Sequence, residues 1–258
     1  MSSRPKANKE TGLYRFARGI AFLLLHLFFP VRYEGLENIP KGGGYILCSN
    51  HRSAMDVIYL GYHVPQQLRF MAKAELFRKK IAAWFFRTMG AFPVERGRGD
   101  LHALDEAGEI IREGGVMAIF PEGTRSRDGK PLPFHSGFAV VAAHTGADVL
   151  PAAISFEGKV RPWKRVTVRF APLIPYESFG FSQEPARSEL RNAIRLVQSS
   201  ILDRTDLPAE YVAEQKALTE RKAAKAAERE AAASASGERK NAAPEENRAD
   251  DSAAGEQR

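Results

Sequence analysis

Tyr45-Ile46-Leu47-Cys48-Ser49-Asn50-His51-Arg52-Ser53-Ala54-Met55-Asp56 passes without a break from an apolar run into a polar one. A turn, Pro40-Lys41-Gly42-Gly43-Gly44, precedes it, and an apolar helix-like stretch, Met55–Tyr62, follows. A short apolar run between turn signals reads as a strand covered on both faces, from Gly44 to Ser49. The pattern returns at Val116–Phe120, which empties into Pro121-Glu122-Gly123-Thr124-Arg125-Ser126. Strands of this kind alternating with helices belong to an α/β fold. Their polar sequels open on the carboxyl edge of the sheet, where such folds bind ligands.

Working outward, Val31–Leu36, Leu68–Met71, Val149–Ser155 and Val166–Phe170 read as further strands, and Phe92-Pro93-Val94 as a brief extended piece. Helices are expected over Thr11–Phe29, stopped by Pro30, and over Leu76–Met89, where Ile81, Trp84 and Phe85 recur at helical spacing. Three more are expected at Leu101–Glu113, ended by Gly114-Gly115, at Gly137–Thr145, closed by Gly146, and at Ser188–Leu202. The prediction is one α/β domain over residues 30–211, with a mixed, mostly parallel central sheet flanked by helices. Residues 212–258 are rich in Ala, Glu, Lys and Arg, and Ser234-Ala235-Ser236-Gly237 interrupts them. They read as a frayed helix passing into a disordered tail.

The chain has 258 residues, a formal net charge of +7 and a pI near 9.5. Acidic and basic groups nearly balance in the tail, so the excess lies in the body. A basic body favours anionic partners: membrane surfaces, phosphate esters, coenzyme A, acidic carriers or nucleic acid. The aromatic residues sit in apolar runs and do not alternate with Lys and Arg as base-stacking platforms do, which argues against nucleic acid. Cys48 is the only cysteine, so intramolecular disulfides and cysteine-based zinc sites are excluded, and a reducing compartment fits. Within its apolar run it reads as core packing.

Gly19–Phe29 is almost wholly apolar, with Arg15 and Arg18 before it and Pro30 after. As a helix it rises only about 16 Å, against about 30 Å of hydrocarbon. No small-residue cleavage site follows it, as a signal peptide would need. Residues 1–29 therefore read as a monotopic anchor lying in the membrane surface, with a buried core helix as the competing reading.

Chemistry concentrates in three places. An imidazole titrates near neutrality and can take a proton from an alcohol, which makes His51 a candidate base. Asp56 is the candidate carboxylate that would fix its tautomer. Residues five apart on a straight helix point about 140° away from each other, so the pair works only if His51 precedes the helix. Gly123 permits close backbone approach to a ligand. Thr124 offers a hydroxyl, and Arg125 a donor fork suited to phosphate oxygens. The third place, Gly90-Ala91-Phe92-Pro93-Val94-Glu95-Arg96-Gly97, sets cations between glycines. Lys73, His135 and His144 read as surface or packing residues.

In this order and spacing, these elements resemble the glycerolipid acyltransferase superfamily, and most closely the 1-acylglycerol-3-phosphate acyltransferases. The first block, Asn-His-x4-Asp, is matched at Asn50, His51 and Asp56. Gly90, Phe92 and Arg96 match the second, although Glu95 stands where the family often has aspartate. The third, Phe-Pro-Glu-Gly-Thr-Arg-Ser, is matched in full from Phe120 to Ser126, and a fourth from Val149 to Ile154.

The resemblance implies that His51, oriented by Asp56, deprotonates the 2-hydroxyl of a lysophospholipid for attack on an acyl-CoA or acyl-carrier-protein thioester. Asn50, Arg96, Glu122, Gly123, Thr124 and Arg125 would bind substrate, with Arg96 and Arg125 on its phosphate. Backbone N–H groups at the start of the helix after His51 are expected to hold the oxyanion, each such donor typically worth about 3 kcal/mol. The resemblance implies no metal or prosthetic group, and a place at the cytoplasmic face of the cell membrane. Other acceptors, such as glycerol 3-phosphate, another lysolipid or a glycolipid, stay open. So do a noncatalytic anionic-membrane binder and a serine hydrolase using Ser49 or Ser53.

Overall fold

Seven strands form one sheet: β1 (Val31–Glu34), β2 (Tyr45–Ser49), β3 (Leu68–Lys73), β4 (Ala91–Val94), β5 (Val116–Ile119), β6 (Val149–Ser155) and β7 (Val166–Phe170). The computed structural model describes residues 12–94, 101–126, 128–158 and 161–241. The strand order is β1-β7-β6-β2-β5-β3-β4. Strands β2 to β6 are mutually parallel, while β7 pairs antiparallel with β6 and parallel with β1. The expected mixed, mostly parallel sheet is what the chain forms.

The centre of the sheet lies where the apolar runs are longest, because every residue of β2 and of β6 is buried. Successive side chains point to opposite faces. Ile46 and Cys48 join one core with Met117, while Tyr45 and Leu47 join the other with Val116 and Ala118. The first core is covered by α4 (Leu101–Arg112), α5 (Gly137–Thr145) and α6 (Arg187–Leu202), the second by α2 (Asp56–Gly61). Full burial of a side chain such as Leu47 contributes roughly 1.5–3 kcal/mol. Gly146 closes α5 at φ +68°, a left-handed conformation that glycine adopts freely. Pro93 is tolerated because β4 is an edge strand.

The face changes place the site. The chain leaves β2 into α2 on one side of the sheet, and leaves β5 towards α5 on the other. Since β2 and β5 are neighbours, a crevice opens between their carboxyl ends.

Several sequence expectations are corrected. The helix expected over Leu76–Met89 is two pieces, a 3-10 turn at Ala74–Phe77 and α3 (Lys80–Thr88). Lys79 between them is extended at φ −91°, ψ 128°. The C-terminal segment is also more regular than expected. Helix α7 (Ala209–Asn241) runs through Ser234–Gly237 unbroken, since a glycine among alanines costs a helix only about 1 kcal/mol. Its first turns dock on α6, where Lys216 pairs with Asp203 and the Thr219 hydroxyl meets Gln198. The tail expected to be disordered lies, beyond Asn241, outside the described residues.

Helix α1 (Gly12–Phe28) forms as expected, and Pro30 follows it. It keeps Tyr14 against Gly61 of α2 and turns Leu13, Phe16, Ile20, Leu23 and Leu27 to solvent. Among the described residues no helix is long and apolar enough to cross a membrane.

Candidate active site

His51 lies in irregular chain between β2 and α2, and Asp56 is the first residue of α2. The five-residue spacing therefore does not separate them: His51 Nδ1 sits 2.9 Å from Asp56 Oδ2. Asp56 is fully buried, and the same Oδ2 accepts the backbone N–H groups of Arg52 at 2.6 Å and Ser53 at 2.8 Å. Three donors on one oxygen hold the carboxylate towards the ring and fold the loop around it. The imidazole stacks on Phe120, ring centroids 4.0 Å apart, and its side chain keeps 19% exposure. With Nδ1 taken by Asp56, Nε2 is the nitrogen left to accept a proton.

The loop after β5 is tied to this one. The Ser126 N–H donates to the His51 carbonyl at 2.8 Å. The Glu122 carboxylate accepts the backbone N–H groups of His51 and Leu132. Burial pushes the Glu122 carboxyl up to about 8, and the nearby Asp56 charge adds to the rise against those two amides and Arg52. Glu122 is 2% exposed, and its carboxyl braces the His51 backbone while the residue lines the neighbouring cavity. Gly123 closes a tight turn with its N–H on the Phe120 carbonyl at 3.0 Å and φ +66°. A Cβ there would also stand 3.3 Å from the His135 ring. Thr124 and Arg125 project from this turn, both exposed, and Arg125 has no ion pair with a described residue.

Asn50 takes a different part from the one expected. Its amide Nδ2 donates to the Ile154 carbonyl at 2.9 Å, and its Oδ1 accepts the Ile154 N–H at 2.7 Å. Both polar ends extend the β2–β6 pairing, and Asn50 also lines the cavity on that side. Four of the amides expected as oxyanion donors have protein partners. Besides the Arg52 and Ser53 amides on Asp56, the Met55 N–H bonds the Ser53 hydroxyl and the Asp56 N–H the Ser53 carbonyl. The same bonds disfavour a serine nucleophile, since Ser53 Oγ caps this turn and the buried Ser49 Oγ donates to the Asn50 carbonyl.

Arg96 lies outside the described residues; the chain leaves β4 two residues earlier on the same sheet edge. Lys73 ends β3 on that edge, exposed. Arg52 was not singled out from sequence. Its guanidinium lies 4.1 Å from the Phe156 ring centroid, and Nη1 donates to the Phe156 carbonyl at 2.6 Å, pinning the His51 loop to the end of β6. No local signal announces a partner 104 residues away. A cavity of about 620 Å³ opens on that side, walled by Arg52, Glu122, Ser126, Phe156 and Tyr211 among others but not by His51. Among the described residues no cluster of His, Cys, Asp and Glu is arranged to hold a metal ion.

Fold and site together define an α/β protein that carries a carboxylate-oriented imidazole at the carboxyl edge of its sheet, with an exposed arginine on the neighbouring strand's sequel. The family model described as Acyltransferase matches residues 30–155. The 1-acyl-sn-glycerol-3-phosphate acyltransferase of Bacillus subtilis (strain 168) is 32% identical over 142 residues, covering 55% of this chain and 70% of that one. The chloroplastic 1-acyl-sn-glycerol-3-phosphate acyltransferase BAT2 of Brassica napus is 33% identical over 145 residues, 55% of this chain and 42% of its own length. The match thus spans less than half of that plant relative. The crystal structure of PlsC from Thermotoga maritima, titled a 1-acyl-sn-glycerophosphate (LPA) acyltransferase, superposes with TM-score 0.56 at 31% identity. It covers 72% of this chain and 77% of that one. The chain belongs to the 1-acylglycerol-3-phosphate acyltransferase family.

Proposed function

We propose that this chain transfers a fatty acyl group from acyl-CoA or acyl-carrier protein to the 2-hydroxyl of 1-acylglycerol 3-phosphate, giving phosphatidate for phospholipid synthesis. The observation that carries the reading is the 2.9 Å bond between His51 Nδ1 and the buried Asp56 carboxylate, which leaves Nε2 as the ring nitrogen not engaged by that carboxylate. In the proposed reaction Nε2 takes the acceptor's hydroxyl proton as its oxygen attacks the thioester carbonyl carbon. The tetrahedral intermediate collapses with cleavage of the C–S bond, and the leaving thiolate recovers the proton from the imidazolium. Asp56 steadies the positive charge that develops on the ring between these steps.

Arg125, and Arg96 at the end of the chain leaving β4, would hold the acceptor's phosphate; a guanidinium fork matches two phosphate oxygens at once. Thr124 projects from the same turn and would add a hydroxyl, while Gly123 lets the backbone come close. The reading needs no metal and no prosthetic group. A membrane surface is the expected working place, since both the acceptor and the product are lipids. The apolar stripe that α1 turns to solvent supports a monotopic or peripheral attachment, here assigned to the cytoplasmic face, where the thioester donors are made.

The test offers purified protein labelled acyl-CoA or acyl-carrier protein with a panel of acceptors: lysophosphatidate, other lysolipids, glycerol 3-phosphate and a glycolipid. Transfer to lysophosphatidate is expected to dominate. His51→Ala is expected to abolish it, a loss of at least about 100-fold, while lipid binding persists. Undiminished transfer by His51→Ala would remove the proposed base.

A further inference from the structure

We infer that α3 is a second membrane-contact element, separate from α1, whose apolar face docks on an anionic bilayer and sets the catalytic crevice against it. The inference rests on the lipid-acceptor reading above and adds the surface that meets the lipid.

Helix α3 is amphipathic the wrong way round for a packed helix. Ile81 is 82% exposed, Trp84 59% and Phe85 49%. They fall at i, i+3 and i+4 and so share one face. Leu76, just before α3, is exposed as well. Contiguous apolar surface of this kind on a soluble domain marks an interaction site. Arg78, Lys79, Lys80 and Arg87 surround it, all exposed, and no Asp or Glu occurs from Leu76 to Val94. An apolar centre with a tryptophan and a collar of cations is complementary to acyl chains beneath anionic headgroups. It is poorly suited to a second copy of the chain, because a two-fold self-contact would bring the collar against itself.

The topology supplies the independent argument. Strand β3 is parallel to β5, and β5 to β2, so β3 ends on the edge that carries His51, and the turn leading into α3 begins there. At the other end of the sheet β1 runs opposite to β2, so its start lies on the same edge. That start brings up the last turn of α1, where Phe28 packs edge-on to exposed Trp163, ring centroids 6.2 Å apart. The β2–β5 crevice lies between these flanks, and β1 and β3 stand five strand intervals apart, about 24 Å. The end of α1 and the start of α3 flank the crevice on one edge, so two apolar elements reaching that edge would present it to a membrane. An acceptor could then enter without leaving the lipid.

Trp84 and Trp163 are the only tryptophans, so Trp163→Phe leaves α3 with its own reporter in the full chain. With vesicles of phosphatidylcholine and phosphatidylglycerol, Trp84 emission is expected to shift to the blue and to be quenched by bromine on the lipid chains. With phosphatidylcholine alone both effects should be much weaker. Vesicle-bound protein whose Trp84 neither shifts nor is quenched would overturn the inference. So would a shift that follows protein concentration without lipid, which would assign the face to self-association. Ile81→Glu/Phe85→Glu is expected to cut transfer to a bilayer-embedded lysolipid by about tenfold or more. Transfer to a short-chain acceptor dissolved as monomer should hold. An equal loss on both acceptors would overturn the inference. Trp84 insertion by protein that acylates no acceptor would sink the proposed reaction and leave the docking face standing.

Discussion

His51 and Arg125 follow neighbouring strands and have opposite degrees of support. The imidazole is held by Asp56 and stacked on Phe120, while the guanidinium lies on an exposed turn with no ion pair to a described residue. Arg125→Ala should therefore leave Tm nearly unchanged and act on acceptor binding. Loss of a charged hydrogen bond, about 1.5–3 kcal/mol, corresponds to a roughly 10- to 100-fold fall in kcat/KM carried by KM, read from steady-state kinetics against acceptor concentration. Glu122 makes a pH prediction. An acid whose folded pKa is raised, here from 4.5 to about 8, binds its proton more tightly in the native state. Its contribution to stability is complete below about 4.5 and is lost as pH rises towards about 8. Tm measured across that window should fall with pH in the parent chain, and Glu122→Gln, which stays neutral, should flatten the fall. An identical slope in both proteins would show that this carboxyl does not titrate there.

At the level of elements, the pieces legible in the sequence were those whose cause is local. Strands β2 and β5 were visible because unbroken apolar runs meet turns, and helix geometry set the condition, met here, that His51 must precede the helix to reach Asp56. What escaped was set by distant partners. Asn50 matched a motif and so read as a substrate ligand, but its amide completes the pairing with Ile154, 104 residues on. Nothing nearby in sequence showed that Asp56 and Ser53 would engage four of the amides after His51. The extended Lys79 that divides the expected long helix has no sequence mark at all. Asn50→Ala tests the β2–β6 clamp. It removes two buried hydrogen bonds and strands the Ile154 N–H and carbonyl, so unfolding stability should drop by about 1–3 kcal/mol in a denaturant titration. Asn50→Asp keeps the acceptor and loses the donor, and should not restore it.

For the whole molecule, the proposed membrane attachment would draw on two regions at once, the basic body and the outward stripe of α1. Removing residues 1–29 is expected to release much of the protein in a vesicle flotation assay, with circular dichroism confirming that the domain stays folded. Unchanged flotation would mean that this helix is packing for the domain and not its tether. Residual binding that disappears in high salt would trace to the cations around α3.

Cys48, in the middle of β2, is fully buried, and burial holds its thiol well above its usual range. Such a sulfur is a poor nucleophile and out of reach of maleimide or nitroxide reagents. The natural chain is thus already silent to thiol labelling, and a single cysteine engineered onto Ile81 or Leu23 would carry the whole signal. Immersion depth is measurable flank by flank without first redesigning the core.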